Sequence, residues 1–172
     1  EFDDMYTIET LNSTSSKQFI EIVGGIFEHS PWIAEKAEKS KPFTSIEQLF
    51  QTMVGIVENS SPEQKLKLIK AHPNLGERVA MTTDSINEQK GAGLQDLTPE
   101  EYGNFINLNK RYMEKFDFPF IIAVRGKNKE QIYDAMKARI DHEIDLEFQT
   151  ALKEIYKIAK FRLEEKIIPA AV

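Results

Sequence analysis

The sequence contains no cysteine, which excludes a disulfide framework, a thiolate zinc site, an iron–sulfur cluster and a cysteine nucleophile within this chain. Histidine is scarce as well. His29, His72 and His142 lie far apart, never at the i, i+4 spacing that sets two imidazoles on one helix face, so no metal site is expected. No apolar run approaches the roughly 20 residues of a membrane span. The opening stretch EFDDMYTIET is acidic where a secretory signal is basic and then apolar. A soluble, cytoplasmic protein without a membrane partner is the reading. Cations are in deficit: 22 Lys and Arg face 28 Asp and Glu, a net charge of −6, which leaves no basic footprint for nucleic acid. What remains is acid–base chemistry or binding.

The 172 residues, 41% of them apolar, suit one domain with a core of its own. The recurrent local signal is the capping box, a Ser, Thr or Asn answered three residues later by Glu or Gln. It occurs at Ser15/Gln18, Ser45/Gln48, Ser61/Gln64, Ser85/Glu88, Thr98/Glu101 and Asn128/Gln131, with Pro62 and Pro99 at the first helical position, where a missing N–H costs nothing. Helical spacing follows, as in Phe19, Ile20, Val23, Ile26 and Phe27, then Leu49, Phe50, Met53, Val54 and Val57, then Phe105, Ile106, Leu108 and Tyr112. Ser30-Pro31-Trp32 opens a further helix that must stop before Pro42. A break is placed near Asp141–His142, because residues 129–166 hold neither Gly nor Pro and one helix of that length is unusual in a small domain. The exception to helix is Phe118-Pro119-Phe120-Ile121-Ile122-Ala123-Val124, an aromatic and β-branched run closed by Arg125-Gly126, which reads as extended. The fold class is therefore all-α, one compact multi-helix domain over residues 1–166 with a short extended segment near 118–124; residues 167–172 read as a tail or the start of a linker. Glu1-Phe2 is set aside as a cloning scar or tag remnant.

Three places hold candidate chemistry, and each has a plain structural alternative. Pro73 forces His72 out of the α region and ends the helix begun at Ser61, so His72 is either a C-terminal cap facing the macrodipole or an accessible acid–base group. Glu88 closes a capping box, and Gly91-Ala92-Gly93 behind it suggests close approach of backbone or ligand. Arg162, among many Lys and Glu of a long C-terminal helix, reads on its own as part of a solvated face. Taken separately these residues describe a soluble helical domain.

Taken together they carry a resemblance. Ser30-Pro31-Trp32-Ile33-Ala34-Glu35, Ala71-His72-Pro73-Asn74-Leu75-Gly76, Ser85-x-x-Glu88-Gln89 with Ala92-Gly93-Leu94, the run from Phe118 to Gly126, and Phe161-Arg162-Leu163 follow one another as in 2-oxo-4-hydroxy-4-carboxy-5-ureidoimidazoline (OHCU) decarboxylases, which the chain resembles from about Met5 to Ile167. It is especially similar to the Bacillus-type bifunctional members in which the decarboxylase is fused ahead of uricase. The resemblance implies an all-α homodimer that needs no cofactor and no metal, acts on a small-molecule ureide in urate degradation, forms (S)-allantoin, and is covalently joined to uricase in a longer parent. It further implies His72, Glu88 and Arg162 as catalytic, with Pro73, Ser85, Ile86, Asn87, Gln89, Phe120, Ile121, Ile122, Ala123 and Val124 holding the substrate. His142 departs from the Asn frequent in the family and receives no role. A non-catalytic helical interaction module, and a hydrolase acting on another ureide, stay open at this stage.

Overall fold

The computed structural model describes residues 5–75 and 83–168. Gly76 of the His-Pro motif, Glu1-Phe2 and residues 169–172 of the tail lie outside the described residues. Nine helices follow one another among those described: α1 (Ile8–Asn12), α2 (Ser16–Val23), α3 (Trp32–Glu38), α4 (Ile46–Glu58), α5 (Pro62–Lys70), α6 (Thr83–Gly91), α7 (Pro99–Phe116), α8 (Lys129–Arg139) and α9 (Ile144–Lys166). The described residues contain no strand; a single parallel bridge joins Tyr6 and Ile167.

The helix starts follow the side-chain chemistry closely. At Ser15, Thr98 and Asn128 the cap side chain accepts the N–H three residues on, and the Gln or Glu there reaches back to the cap's own N–H. Ser61 and Gln64 do the same, at 3.1 and 3.3 Å. Three expectations are corrected. Ser45 caps α4, but Gln48 accepts from Thr44 N–H instead of closing the box. Ser30 does not cap α3: Pro31 holds the N-cap position in helical geometry, while the Ser30 hydroxyl donates to Glu28 O at 2.9 Å. Ser85 lies inside α6, which is already helical at Thr83, so Ser85/Glu88 is not a capping box. Among the helices, α1 escaped the sequence signal, since Thr7 caps it on Thr10 N–H with no Glu or Gln to complete a box.

The chain forms two compact units, Glu1–Leu68 with Tyr156–Val172, and Ile69–Ile155. In the first, Leu11, Phe19, Ile33, Leu49, Met53 and Val57 are fully buried, and Ala159, Leu163 and Ile167 from the later segment are as well. Tyr6 and Ile167 are clasped by N–H donation from Tyr6 to Lys166 O (2.9 Å) and from Ile168 to Tyr6 O (2.8 Å). In the second unit the core is aromatic: Tyr112 lies 4.5 Å from Phe116, 5.9 Å from Phe118 and 5.4 Å from Phe120 between ring centroids, the tilted and edge-to-face arrangements that ring quadrupoles favour. Ile132, Met136, Ala151 and Ile155 complete it. The break expected near residue 141 is present, since α8 ends at Arg139 and α9 begins at Ile144.

The buried Tyr112 hydroxyl donates to Glu147 Oε1 at 2.6 Å. Burial first, and this hydrogen bond second, push its pKa well above the usual tyrosine range. The folded chain therefore keeps a proton that the unfolded chain releases near pH ~10. The associated stability is complete below that pH and falls above it, by up to about 1.4 kcal/mol per pH unit. Urea unfolding across roughly pH 9 to 11 is expected to show this decline, and Tyr112→Phe should make it shallower, the remainder coming from Tyr156, whose pKa is likewise raised by burial and by its hydrogen bond to Glu58; an unchanged slope in the variant would contradict the assignment.

Candidate active site

His72 lies just beyond α5. Its backbone N–H donates to Ile69 O at 3.2 Å, the last turn of the helix, and Pro73 follows. The residue is buried, 8% exposed. The chain leaving it is tied down from α7, where the buried Asn109 donates through Nδ2 to Leu75 O at 2.8 Å. His72 thus stands at a fixed exit from a helix, its imidazole outside any regular apolar stripe.

On α6 the helical repeat sorts the expected residues by face. Ser85, Gln89 and Ala92 are buried and Glu88 is half-buried beside them, in keeping with the i, i+3, i+4, i+7 spacing. Ile86 and Asn87 are exposed on the opposite side. The structure therefore groups Ser85, Glu88 and Gln89, and does not bring Ile86 and Asn87 side chains to them. The glycines behind this helix have a terminating role. Gly93, at φ +80°, lets Leu94 N–H reach Gln89 O (2.9 Å) and Gly93 N–H reach Lys90 O (3.0 Å), the paired bonds of a Schellman stop. A Cβ at Gly91 or Gly93 would meet nothing within 4 Å among the described residues, so close approach of another backbone is not what calls for these glycines, and Gly93 serves to end the helix.

Between α7 and α8, residues 118–124 are buried throughout, with Phe120, Ile121, Ile122, Ala123 and Val124 each below 8% exposure, yet they are neither helix nor strand. Three of their polar groups are met by side chains. Arg139 Nη1 donates to Ile121 O at 2.7 Å, and Glu154 Oε1 accepts from Ala123 N–H at 3.1 Å. Lys127 supplies Nζ to Ala123 O (3.3 Å) and its N–H to Val124 O (3.0 Å). Among the described residues, the N–H groups of Phe120, Ile121, Ile122 and Val124 make no hydrogen bond to a backbone carbonyl. A buried amide without a partner is costly, and a bound carbonyl-bearing molecule would satisfy such groups.

Arg162 belongs to the first unit and corrects the sequence reading of a solvated face, because it is 2% exposed. Its Nη2 pairs with Glu28 Oε2 at 3.2 Å, and Nη1 lies 3.4 Å from both Gly25 O and Ile26 O. Glu28 is itself fully buried, so the guanidinium is held in one plane by a charge-assisted contact and two carbonyls.

Glu28, Asn109, Arg139, Glu147 and Glu154 were not singled out from the sequence. For two of them a signal exists: Glu147, Ala151, Glu154, Ile155, Ala159, Arg162 and Leu163 fall at helical spacing on α9 and all are buried. A charged residue within an apolar stripe marks a buried ion pair or a site.

Comparison with known proteins gives a consistent result. The family model for OHCU decarboxylase matches residues 12–164. The chain is 45% identical over 163 residues to 2-oxo-4-hydroxy-4-carboxy-5-ureidoimidazoline decarboxylase of Halalkalicoccus jeotgali, covering 95% of this chain and 93% of that protein. It is 47% identical over 161 residues to the uric acid degradation bifunctional protein of Bacillus sp. strain TB-90, covering 94% of this chain but 32% of that protein; the chain spans about a third of the length of that relative. Among solved structures, (S)-allantoin synthase superposes with a TM-score of 0.78 at 36% identity, covering 94% of this chain and 54% of the other.

Proposed function

We propose, since this chain belongs to the OHCU decarboxylase family, that it converts OHCU stereospecifically to (S)-allantoin and carbon dioxide in urate degradation. The observation that carries the reading is the 45% identity to a decarboxylase whose length the chain covers almost entirely, 93% of it. The name of the substrate describes its chemistry. The carboxylate and a hydroxyl share C4, beside a ring C=N bond at C5. When the C4–carboxylate bond breaks, its electron pair forms C4=C5 and the imine pair moves to nitrogen, which takes a proton. The enol at C4 then gives up its hydroxyl proton to become a carbonyl, and C5 receives a proton. The electron sink is part of the substrate, so the protein's share is orientation, charge stabilisation and proton delivery to one face.

In this reading Glu88 draws the proton of the C4 hydroxyl, and His72 assists loss of the carboxylate and serves as proton donor or relay, work suited to an imidazole whose ordinary pKa is near ~6.5. Pro73, Ser85 and Gln89 position the ring, and the resemblance to the family adds Ile86 and Asn87, whose side chains are exposed on α6. The backbone of Phe120 to Val124 receives the ureide, supported by the burial of that segment and its N–H groups that lack backbone partners among the described residues. Arg162, fixed by Glu28, offers its guanidinium to anionic oxygen. The site needs no cofactor or metal. A homodimer, a cytoplasmic location and covalent fusion to uricase belong to the same proposal and rest on the resemblance to the family, the fusion also on the partial coverage of the bifunctional relative. No described helix is long and apolar enough to cross a membrane.

The test is to add the chain to freshly generated OHCU and follow both its disappearance and the chirality of the allantoin formed. Accelerated decay to one enantiomer is expected; decay at the buffer rate to racemate points to an interaction module, and a product other than allantoin points to a hydrolase. Arg162→Lys keeps the charge but loses the planar fork. Turnover per folded molecule, with the folded fraction measured by circular dichroism, is expected to fall at least ~10-fold. Full turnover would leave Arg162 as the structural partner of Glu28 alone.

A further inference from the structure

The segment assigned to hold the ureide is oriented by charges that no step above uses. Arg139 on α8 touches it twice, through Nη1 to Ile121 O at 2.7 Å and through its guanidinium carbon 4.2 Å from the Phe120 ring centroid. Arg139 is itself held by Glu147, which is fully buried and accepts from Arg139 Nε at 2.8 Å and from Nη2 on the same oxygen. Tyr112 donates to that oxygen as well, and His142 Nδ1 lies 3.0 Å from the other one. On the far side of Ile122, Glu154 accepts the Ala123 N–H.

These two contacts flank a single residue. A trans peptide is planar, with its C=O and the following N–H pointing in opposite directions, and both peptide bonds of Ile122 are trans. Once Arg139 fixes the Ile121 carbonyl, the Ile122 N–H must point away from Arg139. Once Glu154 fixes the Ala123 N–H, the Ile122 carbonyl must point away from Glu154. Ile122 is 6% exposed, and neither its N–H nor its C=O makes a hydrogen bond among the described residues. One donor and one acceptor are thus aimed by two charged side chains and left to be satisfied.

We infer that Arg139 and Glu154 are positioning residues that set the peptide planes on either side of Ile122, so that its backbone presents a donor and acceptor to the adjacent C=O and N–H of a ureide. Glu147, with Tyr112 and His142 around it, holds Arg139 to this task. The inference rests on the proposed function, because it concerns how the same site recognises its ligand. It predicts that these charges act on affinity and leave the chemical step comparatively untouched.

The experiment measures KM and kcat on OHCU, and the Kd of (S)-allantoin by calorimetry, for wild type, Arg139→Lys, Glu154→Gln and Glu154→Met. Lysine keeps a cation beside Glu147 but cannot span Glu147 and Ile121 O together. Glutamine retains an oxygen acceptor for Ala123 N–H, and methionine has none. KM and Kd are expected to rise roughly 10-fold in Arg139→Lys and Glu154→Met, with kcat per folded molecule within about 3-fold, and Glu154→Gln should restore most of the affinity. A purely structural role would reduce the folded fraction and leave Kd per folded molecule unchanged, and that result would overturn the inference. If Arg139→Lys lacks native circular dichroism, the Glu154 pair decides: equal Kd values in Gln and Met overturn it. Wild type that binds allantoin without accelerating OHCU decay would sink the decarboxylase reading while the Kd series still judges the inference. Wild type that binds no ureide overturns both.

Discussion

Glu88→Gln is expected to slow OHCU conversion by about 10²–10⁴-fold, the usual contribution of a general base, with little change in stability. The two halves of that expectation come from different places. Glu88 is the sixth residue of α6, well past the start of the helix, so its carboxylate is not needed to cap it, and Gln is nearly as good a helix former as Glu. Its half-buried position beside the buried Ser85 and Gln89 directs the carboxylate along the inward face. The amide can accept a hydrogen bond from the C4 hydroxyl but cannot take its proton. Thermal unfolding and OHCU decay are to be measured on the same preparations. Unchanged decay at unchanged stability would remove Glu88 from the mechanism.

His72→Asn is the second large effect. The backbone bond from residue 72 to Ile69 O survives any substitution with a free N–H, and Asn is compatible with the residue before a proline. Stability is therefore expected to shift by no more than about 1 kcal/mol, while enzyme-accelerated, enantioselective allantoin formation falls by about 10²–10⁴-fold. Residual product should be racemic, since only the spontaneous route remains. A large fall in melting temperature with turnover retained would make His72 a helix-end residue and nothing more.

How much of this was legible in the sequence follows from where the information sits. Capping is local, so Ser15, Ser61, Thr98 and Asn128 announced their helices through side chains three residues apart. The segment at 118–124 was legible as non-helical for the same reason, because β-branched and aromatic residues run there between a helix end and Arg125-Gly126. Burial of charge is not local. Arg162 resembles its Lys and Glu neighbours until Glu28, far away in the chain, is seen to pair with it at 3.2 Å. Arg139, Glu147 and Glu154 were hidden likewise, because each is defined by a partner on another element. Ser85 misled in the opposite direction: the right residues at the right spacing sit two positions inside a helix that had already begun, where the hydroxyl is turned to the buried face.

The clasp between Tyr6 and Ile167 bears on how the chain is made. The first unit is split in sequence, Glu1–Leu68 and Tyr156–Val172, around the contiguous span Ile69–Ile155. On a ribosome the inserted span is complete before the residues that close the first unit have been polymerised. Leu11, Phe19, Leu49 and Met53 therefore wait, without Ala159, Leu163 and Ile167, through the synthesis of the span Ile69–Ile155. A chain that ended at Ile155 would hold the whole sequence of the later unit and lack the residues that close the earlier one.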